Sequence, residues 1–251
     1  MIRVVWLLAI ALICTSNCIA QFQVRDSVSY NPHVSITYGY HLPTGDMAER
    51  FGLTGSAGLA FHIKDKKYRY WGGQAQYMFG NRVSEPGLLQ NLYTPKGEVL
   101  DNQGQPAIVF IQERGWNFFA DFGHLYPIIG PNKNCGLLVY GGAGYLMHKI
   151  RIEHQSHEIN GLSGDFLKGY DRLTGGPAVR GFVGYSHMSN SGRINFLIGL
   201  EAIQASTRSI RGYNYDTQEK DTQRRSDGLV GLKVGWILNL YQRAPDQFYI
   251  N

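Results

Sequence analysis

Residues 228–241, GLVGLKVGWILNLY, put Val230, Leu232, Val234, Trp236, Leu238 and Leu240 on one face and Gly231, Lys233, Gly235 and Asn239 on the other. That period of two holds for about seven cycles, which a helix cannot produce. Soluble strands ordinarily stop at about five or six residues, whereas about 9 to 11 tilted residues are what a strand needs to cross a bilayer. The segment therefore predicts a membrane-crossing strand.

Such a strand needs partners of the same kind. Behind Arg3 the chain is apolar over residues 4–13 and then ends in Cys18-Ile19-Ala20, so residues 1–20 read as a secretory signal peptide cleaved after Ala20. Cys18 as a lipid-attachment site is the weaker reading, because Asn17 stands where a small residue is favoured. Residues 21–251 then form one domain. Cys14 and Cys18 leave with the leader, and Cys135 alone offers no intramolecular disulfide. No further apolar run reaches the length of a membrane helix, so the crossing segments must be strands. The 31 glycines, and tyrosine at 16 exceeding phenylalanine at 12, suit a barrel with a polar lumen and aromatic girdles. A net charge of +5, dispersed along the chain, argues against nucleic acid as a partner.

Alternation recurs seven more times. Val34, Ile36, Tyr38 and Tyr40 define a first strand ending at Pro43-Thr44-Gly45-Asp46, and Leu53, Gly55, Ala57, Leu59, Phe61 and Ile63 form the outer face of a second. After the short stretch 64–67, Trp71, Ala75, Tyr77 and Phe79 face out on the third strand while Gln74 and Gln76 face in. A polar stretch to about residue 107 precedes a fourth, with Trp116, Phe118, Ala120 and Phe122 outside and Asn117 and Asp121 inside. The fifth covers residues 135–152 and the loop after it 153–172. Val179, Gly181, Val183 and Tyr185 mark the sixth, and Ile194, Phe196, Ile198, Leu200 and Ala202 the seventh. Short turns alternate with longer connections, the first, third, fifth and seventh being the longer ones. Outer-membrane barrels place short turns in the periplasm and long loops outside, and the even count returns the C-terminus to the periplasm. The expectation is an all-β, eight-stranded antiparallel up-and-down transmembrane barrel in the outer membrane, its lumen filled by side chains.

Three resemblances go with this reading. Lys233, Gly235, Leu238 and Leu240 resemble the C-terminal assembly signal of outer-membrane barrels, which implies the outer-membrane assembly machinery as a partner. The stretches LPTGDMAERFG and LSGDFLKGYDRLTGG, with Gln21 and the last strand, look like a group of small Bacteroidota barrel proteins that carries no settled activity. The architecture is similar to OmpA and OmpX type barrels, and no site residue follows from that because a fold does not imply a function.

Candidate sites are few. Gln74, Asp121, Arg180, Glu201 and Lys233 point inward at comparable heights, as a lumen polar network in which opposite charges neutralise one another. Glu153, His154, His157 and Glu158 carry metal-ligand types but lack a framework, so no metal or cofactor is expected. Gly141-Gly142-Ala143-Gly144 lacks the helix a phosphate cradle needs, and small residues in a narrow barrel explain it. His187-Met188-Ser189-Asn190 with Glu201 looks like the His-x-Ser-Asn and downstream Glu of outer-membrane lipid A 3-O-deacylases, where serine attacks an ester, histidine takes its proton and glutamate orients the histidine. Parity sends Glu201 into the lumen several layers above Ser189, which speaks against that triad.

The function expected is therefore non-enzymatic: a structural component or docking subunit of envelope machinery, in contact with outer-membrane lipid and lipopolysaccharide. Its motivation is the apolar content of the long loops: Leu88, Leu89, Leu92, Tyr93, Phe166, Leu167, Tyr170, Tyr213 and Tyr215. A lipid A deacylase-like esterase and a small pore are the alternatives. Lumen crowding by Arg180, Glu201, Lys233, Gln74, Gln76 and Tyr140 counts against the pore.

Overall fold

Alternating apolar and polar side chains over ten or more residues can bury one face only if the strands close on themselves, and they do. The computed structural model describes residues 28–155, 159–190 and 194–240. The expected leader, His157, Glu158, Ser191, Gly192 and Tyr241 lie outside these residues. Eight strands form one closed antiparallel barrel: β1 (Asn31–Gly45), β2 (Thr54–Lys64), β3 (Arg69–Gly80), β4 (Val109–Tyr126), β5 (Gly136–His154), β6 (Thr174–Met188), β7 (Asn195–Ser209) and β8 (Arg224–Asn239). Each pairs with its sequence neighbour, and β8 closes the ring on β1 with Val34 opposite Leu238 and Leu42 opposite Val230. No described helix is long and apolar enough to cross a membrane.

The outer wall is apolar. Val230, Leu232, Val234, Trp236, Leu238 and Leu240 are all exposed, as are Leu59, Phe61, Trp71, Trp116, Phe118, Phe122, Ile198 and Leu200 on other strands. Their inward alternates, among them Lys233, Gln76, His62, Asn117 and Glu201, are at most 1% exposed. A water-soluble protein does not present a continuous apolar wall around a polar interior, and only a closed barrel satisfies its backbone in lipid. The chain is an outer-membrane β-barrel.

Some boundaries differ from the alternation reading, each for a local reason. β1 runs through Pro43 to Gly45, since its pairing with β2 ends at His41 opposite Thr54 and Pro43 has only β8 alongside. Leu53 precedes β2, and the turn after β2 is 65–68, closed by Asp65 accepting from the backbone N–H groups of Lys67 and Arg69. β4 begins at Val109, so that β4 and β5 are the longest strands at 18 and 19 residues and stand above the wall.

The described residues of the long connections pack on the barrel and on one another. Residues 46–53 contain α1 (Asp46–Arg50), whose Met47 is fully buried. Residues 81–108 hold a 3-10 turn at Gln90–Leu92 and a two-residue ladder joining Val99–Leu100 to Pro106–Ala107. Leu88, Leu89, Val99, Ile159, Leu162 and Tyr170 pack with Met47, Phe51, Phe119, Leu146 and Leu229 into one apolar cluster across the barrel mouth that carries the long connections. A second cluster of Tyr70, Leu125, Leu138, Tyr140, Phe182, Leu197 and Ile237 fills the half toward the short turns.

Candidate functional site

Between the two apolar clusters lies a belt of buried charge. The barrel wall sets it up by parity: each inward side chain sits two residues from the next, and strand register decides which of them share a height. Glu201 on β7 is its centre. Its Oε1 accepts from Lys233 Nζ at 2.7 Å and Arg180 Nη1 at 3.2 Å, and its Oε2 lies 3.1 Å from His41 Nε2. Arg180 also grips Asp121 through Nε at 2.8 Å and through Nη2, and Asp121 Oδ2 is 2.9 Å from His62 Nε2. Lys233 Nζ further donates to Gln74 Oε1 at 2.5 Å and Tyr140 Oη at 3.2 Å. Tyr140 stacks on Phe182 with centroids 4.7 Å apart, while the Arg180 guanidinium lies 4.8 Å from the Phe119 ring.

All five expected lumen residues thus meet in one hydrogen-bonded network, with two cations facing two carboxylates. Such a network is tolerable in a dry interior because no charge is left without an opposite one. His41 and His62 were missed by sequence reading. Parity was the available signal: His41 follows Thr37 and Gly39 on the inner face, and His62 lies between Phe61 and Ile63.

The network has a structural device in its wall. Asp121 and Arg180 are two strands apart with Gly142 between them, paired to both. Glu201 and His41 are likewise separated by Gly231, and His62 and Asp121 by Gly72. A Cβ at Gly142 would collide with Asp121 Oδ1 and lie 2.7 Å from Ala120 O. Glycine on the intervening strand is what lets the two side chains close over it.

Two further polar pairs lie higher. His148 Nε2 is 2.9 Å from Asp227 Oδ2, which also accepts from Thr207 Oγ1, and Thr54 Oγ1 donates to Glu113 Oε2 at 2.7 Å.

The deacylase-like residues are not assembled. His187 faces outward, stacked on Phe196 at 5.0 Å, with Nδ1 3.4 Å from Tyr185 Oη. Ser189 belongs to the turn after β6, where its Oγ accepts from the backbone N–H of Ile194 at 3.4 Å. Glu201 is inside the barrel and paired opposite Phe182, five residues along β6 from His187, about 16 Å of strand. Glu153 sits beside Arg151 in an ion pair, and no group of three His, Cys, Asp or Glu with metal-site geometry occurs among the described residues.

No family model matches the chain, and no curated protein matches it. Among solved structures, Neisserial surface protein A is 7% identical with a TM-score of 0.43, covering 82% of this chain and 96% of that one. Ail, the attachment invasion locus protein of Yersinia pestis, is 11% identical with a TM-score of 0.38, covering 84% and 99%. A major outer membrane protein of Thermus thermophilus is 9% identical with a TM-score of 0.36, covering 82% and 99%. The barrel assignment rests on this chain's own closed sheet and apolar wall.

At the other end of the barrel from the short turns, the long connections are locked to one another. Arg50 Nε donates to Glu85 Oε2 at 2.6 Å, and Asn91 Nδ2 to Tyr170 Oη at 2.8 Å. Arg172 Nη2 is bidentate on Asp216 at 2.8 and 2.9 Å, and Gln90 Nε2 reaches the Asp216 carbonyl at 3.3 Å. Arg211 pairs with Asp171 at 2.6 Å, and that hydrogen bond raises the guanidinium above its ordinary value. The apolar residues of these loops divide accordingly. Leu88, Leu89 and Tyr170 are buried in the cap, whereas Tyr93, Phe166, Tyr213 and Tyr215 remain exposed.

Proposed function

We propose that this barrel is a non-enzymatic outer-membrane protein that presents its extracellular cap as a docking surface, as a structural component or subunit of envelope machinery. The interlocked cap carries the reading: four connections joined by the Arg50–Glu85 and Arg172–Asp216 ion pairs and the Asn91–Tyr170 hydrogen bond form a rigid platform with Tyr93, Phe166, Tyr213 and Tyr215 on its exposed side. Rigid aromatic side chains give contact area at small entropic cost, and loops on a rigid scaffold are where binding residues concentrate. The separation of His187 and Ser189 from Glu201 supports the non-enzymatic part. The assembly signal at Lys233, Gly235, Leu238 and Leu240 belongs to the same proposal, with the assembly machinery as its partner.

The test is affinity purification from gently solubilised outer membranes with quantitative mass spectrometry, run on the wild type and on Phe166→Ala with Tyr213→Ala. A protein recovered stoichiometrically with the wild type and lost from the variant is the expected result. Recovery of the bare barrel from several mild detergents would refute the subunit role.

A further inference from the structure

Outside the barrel, at the junction of wall and cap, the cations gather. Arg114 on β4 and Lys149 on β5 are direct cross-strand partners, and both side chains face outward. Arg151 follows two residues beyond Lys149 on the same face. Like charges directly opposite on neighbouring strands are destabilising, with Cβ atoms about 4.5–5.5 Å apart. Lys149 makes no ion pair with a carboxylate among the described residues, and Arg114 turns to neutral acceptors, the Glu113 carbonyl and Gln112 Oε1. Among the described residues that line this place, Glu153, already held by Arg151, is the one that brings a negative charge.

These residues rim a groove of about 650 Å³ whose apolar part is Tyr77, Trp116, Met147, Leu167 and Leu173. That volume falls within the range of small-molecule sites, roughly 300–1,000 Å³. Its height follows from the strand. From Tyr126 at the periplasmic end of β4 to Arg114 is twelve residues, about 40 Å of strand and about 30 Å along the membrane normal at a tilt near 40°. This equals the hydrocarbon thickness of about 30 Å, so the cations stand at the outer headgroup level and Trp116 just below it.

We propose that this groove binds the phosphate headgroup of an outer-leaflet lipid. Arg114 and Lys149 converge on the phosphate, Arg151 supplies a third cation, and Trp116, Tyr77 and Met147 pack on the first acyl carbons. An anion between Arg114 and Lys149 turns their mutual repulsion into two charge-assisted contacts, and the apolar floor requires that the anion carry a chain. The site is separate from the docking role of the cap and stands if that role fails.

The experiment uses the purified barrel in a neutral detergent and measures lipid retention by native mass spectrometry, with bis-phosphorylated lipid A, its dephosphorylated form and inorganic phosphate as probes. The wild type should retain the phosphorylated lipid at least tenfold better than the dephosphorylated one. Arg114→Ala with Lys149→Ala should lose that preference, while Arg114→Lys with Lys149→Arg should keep most of it. Arg208 and Arg224, another outward pair opposite each other, provide the control: Arg208→Ala with Arg224→Ala should leave retention unchanged. Urea unfolding guards against a folding artefact. Without lipid the Arg114→Ala, Lys149→Ala protein should be at least as stable as the wild type, and only the wild type should gain stability when the phosphorylated lipid is added. Equal loss in the control pair would reduce the effect to rim charge in general. Full competition by millimolar inorganic phosphate would make the site one for free anions. Unchanged retention in the alanine variant would remove it altogether. Each of these three results overturns the proposal.

Discussion

Glu201→Gln is the substitution that asks most of the buried belt. It keeps the shape of the side chain and removes its charge, leaving Lys233 with only the neutral acceptors Gln74 and Tyr140. Arg180 keeps Asp121, so the uncompensated charge is the ammonium, on a residue 1% exposed. Breaking a buried pair by removing one partner costs about 3–5 kcal/mol, a factor of roughly 10² to 10³·⁵ in the folded-to-unfolded ratio. With a urea slope near 2 kcal/mol per molar, the midpoint falls by about 1.5–2.5 M. The assay is urea unfolding of the refolded barrel in lipid vesicles, followed by the emission of Trp71, Trp116 and Trp236, which all face the membrane. Lys233→Met in the same chain removes the orphaned ammonium as well, so the double variant should recover about 2 kcal/mol relative to the sum of the single losses. A Glu201→Gln midpoint within about 0.5 M of wild type, on that same urea slope, would refute the reasoning. So would strict additivity, because it would mean that Lys233 and Glu201 do not depend on each other.

Val234→Arg puts a charge on the lipid face near mid-depth and should destabilise the barrel by about 2–4 kcal/mol in the same assay, whereas a wild-type midpoint would contradict the assignment of the outer wall. Cysteine placed at Gln103 or Lys220 should react with an impermeant reagent on whole cells, while cysteine at Asp65 or Lys133 should react only after the outer membrane is opened; the reverse pattern would invert the barrel. Ser189→Ala and His187→Ala should leave the lipid A mass spectrum of expressing cells unchanged, and loss of a deacylated species in both would show an enzyme.

The strands were readable because lipid faces one side of each of them. Ile36, Tyr38 and Tyr40, or Ile198 and Leu200, must be apolar at alternate positions, and that demand is written residue by residue. Parity also put Arg180, Glu201 and Lys233 inside. Height along each strand, judged from the turn residues, was enough to bring them together with Gln74 and Asp121. Partners across the ring were harder. The contact of His148 on β5 with Asp227 on β8 depends on how the closed sheet is staggered, and no local pattern encodes that. The cap was the least readable part, since its packing has no period: nothing in the sequence says that Leu89 is buried while Phe166, in the next long loop, is exposed.

The glycines explain how so many charges fit into so narrow a ring. Inward side chains on adjacent strands crowd one another in an eight-stranded barrel; Glu201 bonds Lys233 and Arg180 directly from the neighbouring strands, whereas charged partners further apart would be kept from each other by any side chain on the strand between them. Placing them two strands apart, with glycine between, opens a gap as wide as one side chain and lets each pair close across it. Asp121 and Arg180 do so over Gly142, Glu201 and His41 over Gly231. A Cβ at Gly231 would lie 2.6 Å from the His41 Cα, so the backbone itself has drawn in around the missing side chain. These glycines are therefore part of the charge network although they carry no polar side chain. Gly142→Ala should cost about 1–3 kcal/mol by overpacking in wild type. In an Asp121→Asn, Arg180→Met background the same alanine should cost less, because the pair that needed the gap is gone. An undiminished cost there would assign Gly142 to the curvature of the wall instead of to the ion pair above it.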